Sequence, residues 1–283
     1  MILYKYLSPE RVDVLEHRRI RYSQPNAFND PFEVKPYISH ISDDAQIEAN
    51  IDQLLDDETR KLYEILPPEA CAILSYEQIA SLVMQRRESL RGRFGILINK
   101  FTPKVREIME NKFNEILGIL SLSESPTNIL MWSHYARHHE GFVIGFDVTH
   151  NHFNEKRSEK DEFGYARKVE YRPKRPNAAL SAMDGVDVFL VKAADWSYER
   201  EWRVFRPLPN AGQRIETGGI PICLFSFPPE CVVEVIIGAR TNTNERSSLV
   251  NLATILSRTQ SLHVYNAKLS DAEFKIKLEE IAI

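Results

Sequence analysis

Cysteine is scarce in this chain. There are three in 283 residues (Cys71, Cys223 and Cys231), an odd number with no Cys-x-x-Cys pair. They read as reduced cytosolic thiols that pack in the interior, not as a disulfide framework. Long apolar runs are also missing. The 231–239 stretch is interrupted by Glu234, and nothing else is long enough to span a bilayer. The first ten residues lack a basic segment followed by an apolar one, so no signal peptide is expected. There is no excess of positive charge either. The net charge of −4 excludes a polycation that seeks nucleic acid through its overall field. Repeats and low-complexity tracts are absent. These gaps point to a cytoplasmic protein with no membrane partner. What is present, 43% apolar and 27% charged residues, suits a globular protein with a sizeable core. The length suits one domain over 1–283 that carries an insertion.

Residues 2–7 read as a strand, followed by a short helix near 9–17 with Ser8 as N-cap and Pro9 at its first position. Residues 20–23 alternate like a strand, and 24–33 is a loop dense in turn formers. From about 43 to 118 apolar residues recur at helical spacing, as in Ile47, Ile51, Leu54 and Leu55, which predicts a helical insertion or lid. Strands are expected at 117–123, 142–147, 164–172, 199–206, 220–227, 231–238 and 261–267. Helices are expected at 129–136, 185–193 and 243–257. The expected class is mixed α+β, with strands at both ends of the chain and helices between.

Four constellations bear on chemistry. Tyr4-Lys5-Tyr6 could grip a nucleotide, or could be a strand with half-buried tyrosines and a solvated lysine. In the segment 131–141, His134 and His138 stand four apart, a possible metal pair on a helix. The run has no His-Glu-x-x-His pattern and no convincing third ligand, so no metal is expected; helix capping or hydrogen bonding is the simpler use of these histidines. Arg167, Lys168, Arg172, Lys174 and Arg175, with Tyr165 and Tyr171 interleaved, could meet phosphates or form a solvated surface. The fourth is Glu199-Arg200-Glu201. On an extended strand both carboxylates would project from one face, with Tyr198, Arg200 and Trp202 on the other. Two like charges on one face are unfavourable unless something cationic or polar lies between them. A site for a sugar hydroxyl or a developing cation would accept that arrangement. Otherwise each glutamate would pair with Arg200, Arg203 or Arg206 in a surface network.

The ordered set Leu3-Tyr4-Lys5-Tyr6, Asn29-Asp30-Pro31-Phe32, Leu120-Ser121-Leu122-Ser123, Met131-Trp132-Ser133-His134-Tyr135, Gly141 to Phe146 and Trp196 to Arg203 resembles the bacterial domain-of-unknown-function family 2971. More remotely, the motif order is similar to the ADP-ribosyltransferase fold, including its DNA-modifying toxin branch. The second resemblance implies a mixed-sheet core and an enzyme that uses NAD as substrate and needs no metal. It would transfer ADP-ribose to a protein, DNA or RNA acceptor, or hydrolyse NAD, as a toxin or antiviral (phage-defence) effector. It implies Glu201 as the catalytic carboxylate and Glu199 as its upstream partner. Lys5, Tyr6, Ser123, Trp132, His134 and Tyr135 would be the NAD-binding set. The chain departs from that pattern at Lys5, where His or Arg is usual; lysine lacks the planar multi-donor geometry of arginine. Two other readings stand beside this one. One is a non-catalytic nucleotide- or nucleic-acid-binding module, which the basic stretch would favour if Glu201 proved buried and salt-bridged. The other is a metal-dependent hydrolase or nuclease built on His134 and His138.

Overall fold

The computed structural model describes residues 1–156, 158–178, 180 and 185–282. In chain order the elements are β1 (Ile2–Leu7), α1 (Asp13–His17), β2 (Arg19–Tyr22), β3 (Tyr37–Ile38), α2 (Asp44–Glu64), α3 (Pro68–Cys71), α4 (Tyr76–Met84), α5 (Arg87–Ile116), β4 (Leu117–Ser123) and α6 (Ile129–Tyr135). There follow β5 (Phe142–Asp147), β6 (Ala166–Lys168), β7 (Glu170–Arg172), β8 (Asn177–Ala178), β9 (Val191–Ala193), β10 (Glu201–Pro207), β11 (Gln213–Ile215), β12 (Ile222–Ser226), β13 (Val232–Ile237), α7 (Thr243–Ser257), β14 (His263–Leu269) and β15 (Ile276–Ile281). The class is mixed α+β. No described helix is long and apolar enough to cross a membrane.

The chain divides into two compact units. One comprises Met1–Lys35, Lys112–Arg175 and Gly185–Ile283, and is built on an eight-stranded sheet of order β15-β14-β13-β5-β1-β4-β10-β6. The β13–β14 pair is parallel, joined through α7, and the other pairs are antiparallel. Side chains alternate across a strand, so each face has its own layer. One face carries Leu3, Leu7, Leu120, Leu122, Ile144, Phe146, Val204, Val235 and Ile237. These pack with Val14 and Leu15 of α1, Leu249 and Ala253 of α7, and the small sheet β11-β12-β2. The opposite face is covered in two patches. Met131, Trp132 and Ala136 pack on Tyr6, Val143 and Ile236. Val34, Val186 and Phe189 pack on Leu117, Ile119 and Phe205.

The second unit comprises Pro36–Asn111 and Pro176–Asp184. Its core joins Ile51 and Leu55 of α2 to Ile79 and Val83 of α4. Leu54 is left exposed, which places it on the outer face of α2. Helix α4 begins with a reciprocal cap: Gln78 N donates to Ser75 Oγ at 3.3 Å and Ser75 N donates to Gln78 Oε1 at 2.9 Å. Arg87 ties α5 to Glu48 and Asp52 of α2.

Several expected elements are corrected. The helix expected at 185–193 is a single 3-10 turn, Asp187–Phe189, followed by β9. The strand expected at 164–172 is split at Val169 into β6, in the large sheet, and β7, which pairs with β9. The strands β11 and β15 were not anticipated. In β15 Ile276 and Leu278 pack on the sheet while Lys277, Glu279 and Glu280 are solvated, an alternation only one pair long before two successive glutamates break it.

Candidate functional site

Tyr4 of β1, Ser123 of β4 and Glu201 of β10 lie in register across three adjacent strands. Among the described residues β1 and β4 share that one register, whereas β1 pairs with β5 along its whole length. The gap between β1 and β4 is spanned by Lys5, whose Nζ donates to Ser121 O at 3.0 Å. Over this gap lies a cleft of about 360 Å³, within the size range of small-molecule sites. It is lined by Tyr4, Lys5 and Tyr6 on one side and by Ser121 and Ser123 on the other. Phe28, Asn29 and Glu33 come from the 24–33 loop, His134 and Tyr135 from α6, and Lys192, Glu199 and Glu201 also face it.

The two glutamates are not alternate residues of one strand, as the sequence suggested. Glu199 ends the 3-10 turn Ala194–Glu199, and Arg200 takes a left-handed conformation (φ 47°) before β10 begins at Glu201. That turn is held from both sides. Ser123 Oγ donates to Glu199 O at 2.7 Å, and Glu201 N donates to the Tyr171 hydroxyl at 2.8 Å. The carboxylates meet through the turn, on a shared cation. Lys192 Nζ lies 2.5 Å from Glu199 Oε2, 3.0 Å from Glu201 Oε2 and 3.1 Å from Glu33 Oε1. Arg203 grips Glu201 with Nε at 2.8 Å and Nη2 at 3.0 Å, donates to Phe189 O and also reaches Glu33. All five groups are at most 5% exposed. The surface network with Arg200 and Arg206 is therefore corrected: Arg200 pairs with Glu124, and Arg206 donates to His152 O.

Three carboxylates are in direct contact with two cations, Lys192 and Arg203, while the Lys5 ammonium acts on Glu199 and Glu201 from further off. Burial pushes the Glu201 carboxyl up, but the charges of Arg203 and Lys192 outweigh it and hold the group at about 2. Burial pushes the Glu33 carboxyl up to about 7; Arg203 opposes this and the nearby Glu201 charge adds to it. Glu33 Oε2 has no partner among the described residues. Burial would lower the Lys192 ammonium, yet Glu201, Glu33 and Glu199 together raise it. Lys5 is lowered to about 8 by burial, against the pull of Glu201 and Glu199.

Of the residues expected to form a site, Lys5, Tyr6, Ser123, His134, Tyr135, Glu199 and Glu201 line the cleft. Tyr135 donates to Glu199 Oε1 at 2.6 Å, and burial followed by the Glu199 charge pushes its hydroxyl upward. His134 stands exposed at the rim. Trp132 does not line the cleft. It is fully buried, edge-on to Tyr6 at 5.5 Å, with its indole N–H on Pro126 O, so its role is to support Tyr6 from beneath. His134 and His138 do not share a helix face. Helix α6 ends at Tyr135, and Arg137, His138 and His139 are all left-handed (φ 44°, 52° and 71°). Among the described residues no three His, Cys, Asp or Glu side chains are grouped to hold a metal.

Glu33, Lys192 and Arg203 completed the cluster without being singled out from sequence as site residues. The signal was a lone charge inside an apolar run, as in Leu190-Val191-Lys192-Ala193 and Trp202-Arg203-Val204-Phe205. Such a charge is buried only when paired. Comparison with curated proteins and with solved structures found no match. Residues 131–204, which hold Tyr135, Lys192, Glu199, Glu201 and Arg203, match the family described as "Protein of unknown function (DUF2971)".

Proposed function

We propose that the cleft takes NAD and that the protein is an ADP-ribosyltransferase-like enzyme, passing ADP-ribose to a macromolecular acceptor or to water. The observation that carries this reading is a Glu201 carboxylate kept ionised in the cleft floor, in register with the Tyr4 and Ser123 strands that flank it. When the bond between the ribose C1′ and the nicotinamide nitrogen breaks, its electron pair leaves with nicotinamide and positive charge develops on the sugar. A fixed carboxylate favours that charge more than it favours the ground state. An ionised carboxylate accepts about four hydrogen bonds. Glu201 accepts three from Arg203 and Lys192, and the Ser121 hydroxyl is close enough to supply a fourth, so a ribose hydroxyl would take the place of Ser121. Glu199 uses two, from Tyr135 and Lys192, and has room to take the proton of an incoming O–H or N–H nucleophile. Tyr6 and Tyr135 supply aromatic walls. The motif order that resembles the ADP-ribosyltransferase fold falls on β1, β4 and β10, which are neighbours in the sheet.

A second reading, a binding module without turnover, is favoured by one observation: Glu201 is buried and salt-bridged, as a structural carboxylate would be. The basic stretch adds little to it. Arg167 pairs with Asp187, Lys168 with Glu124 and Arg172 with Glu170, so three of its five cations have a carboxylate partner within the protein. The test is nicotinamide release from NAD, with and without cell extract as acceptor. Glu201→Gln should lower the rate on the order of a hundredfold or more while NAD affinity changes far less. Binding without release selects the module. Neither binding nor release ends the NAD reading, and an unchanged rate in Glu201→Gln removes that residue from catalysis.

A further inference from the structure

The most unusual group in the molecule is a lysine whose ammonium touches three carboxylates and almost no water. Lys192 reaches its position from β9, which pairs in parallel with β7 at Tyr171, the residue whose hydroxyl receives Glu201 N. Its Nζ also lies 5.3 Å from the centre of the Trp196 ring, an aromatic contact in addition to the three carboxylates. A surface lysine samples many rotamers, whereas this one is caged by Glu33, Glu199, Glu201 and Trp196. The two glutamates depend on it differently. Glu201 has a second cation in Arg203, but Glu199 has Lys192 and the neutral Tyr135 hydroxyl. Among the described residues Lys192 is the cation in direct contact with both.

We propose that Lys192 is the positioning residue of the cleft: its single ammonium sets the directions of the Glu199 and Glu201 carboxylates relative to one another. Its catalytic consequence rests on the NAD-transfer reading, but the positioning itself does not. If two reacting groups must meet one sugar carbon from different sides, their separation has to be fixed. A misplacement of about 1 Å can reduce the rate on the order of a hundredfold.

Lys192→Met alone leaves three buried carboxylates around one arginine and invites misfolding. The working comparison is Lys192→Met/Glu33→Gln against Glu33→Gln. Assayed at pH 8, where Glu33 is ionised, the double variant removes one charge of each sign and keeps the parental balance of the cluster. With NAD as substrate, the double variant should show kcat reduced on the order of tenfold to a hundredfold relative to Glu33→Gln, with KM changed less than about threefold. A loss confined to KM, or equal kcat values, would overturn the proposal. A second readout needs no activity: a ¹³C-carboxyl NMR titration of glutamate-labelled protein. The Glu201 resonance should titrate about one to three pH units higher in the double variant than in Glu33→Gln, the effect of removing a cation within about 4 Å. An unmoved Glu201 titration in a folded double variant would sink the positioning role. Should the wild type release no nicotinamide while the Glu201 titration still moves, the NAD reading fails and the positioning role stands.

Discussion

Glu33→Gln tests whether charge imbalance, more than pairing, governs the buried cluster. Glutamine keeps the shape and imitates the protonated acid. In the native protein the Glu33 carboxyl is raised from its ordinary 4.5 to about 7, foremost by burial. Between those values the unfolded chain has already lost the proton while the native state still holds it, so this group's contribution to stability falls as pH rises through the window. The full shift corresponds to about 3 kcal/mol. Coupling to Glu201 and Lys192 reduces the expected change to about 1–3 kcal/mol. The difference in stability, variant minus parent, should therefore move in favour of glutamine between pH 5 and pH 8. An ordinary buried ion pair predicts the opposite sign, since removing one partner costs about 3–5 kcal/mol once the pair is ionised. Urea unfolding at several pH values, followed by tryptophan fluorescence, separates the two. All three tryptophans (Trp132, Trp196 and Trp202) lie in the sheet unit, so the signal reports on the unit that holds Glu33. His152, lowered to about 4 by burial first and then by the Arg206 charge, adds its own pH dependence. It does so in both proteins and cancels in the difference. A variant that is less stable at pH 8, with a gap that closes toward pH 5, would refute the imbalance argument.

Two further outcomes follow from the packing. Arg203→Met should lower the stability of the sheet unit by about 3–5 kcal/mol, because Glu201 loses its two-point partner in a dry site; adding Glu201→Gln should restore part of that loss in the same urea assay. Ser75→Ala should weaken the first turn of α4 by about 1 kcal/mol by removing the acceptor for Gln78 N, read as faster hydrogen exchange at residues 76–79.

The sheet's central strands were legible because their residues carry strong local patterns. Leu117 to Ser123 and Phe142 to Asp147 are apolar runs bounded by turn signals, and both form strands over the expected ranges. Asn128 likewise caps α6, accepting from Met131 N. The motifs on β1, β4, α6 and β10 brought seven of the anticipated residues to one cleft. The sequence could not show how Glu199 and Glu201 meet, because that depends on one left-handed residue, Arg200, and on a lysine seven residues upstream of Glu199. The run Arg137-His138-His139 defeated the helical spacing for the same reason: non-glycine residues with positive φ leave little local signature. Glu33 lies 159 residues from Lys192, a contact made by tertiary folding alone.

The buried charges also act as an alignment mark for the sheet. On β10, Glu201, Arg203 and Phe205 point one way while Trp202 and Val204 point the other, into the layer of Leu120 and Leu122. Sliding β10 by one residue against β4 would reverse every side chain. Glu201 and Arg203 would then enter the oily layer, far from Lys192 and Glu33, and unpaired charges there are prohibitively costly. An all-apolar β10 would tolerate that slip, since both faces of the strand are buried. The polar cluster thus forbids a mispaired sheet that hydrophobicity alone would permit.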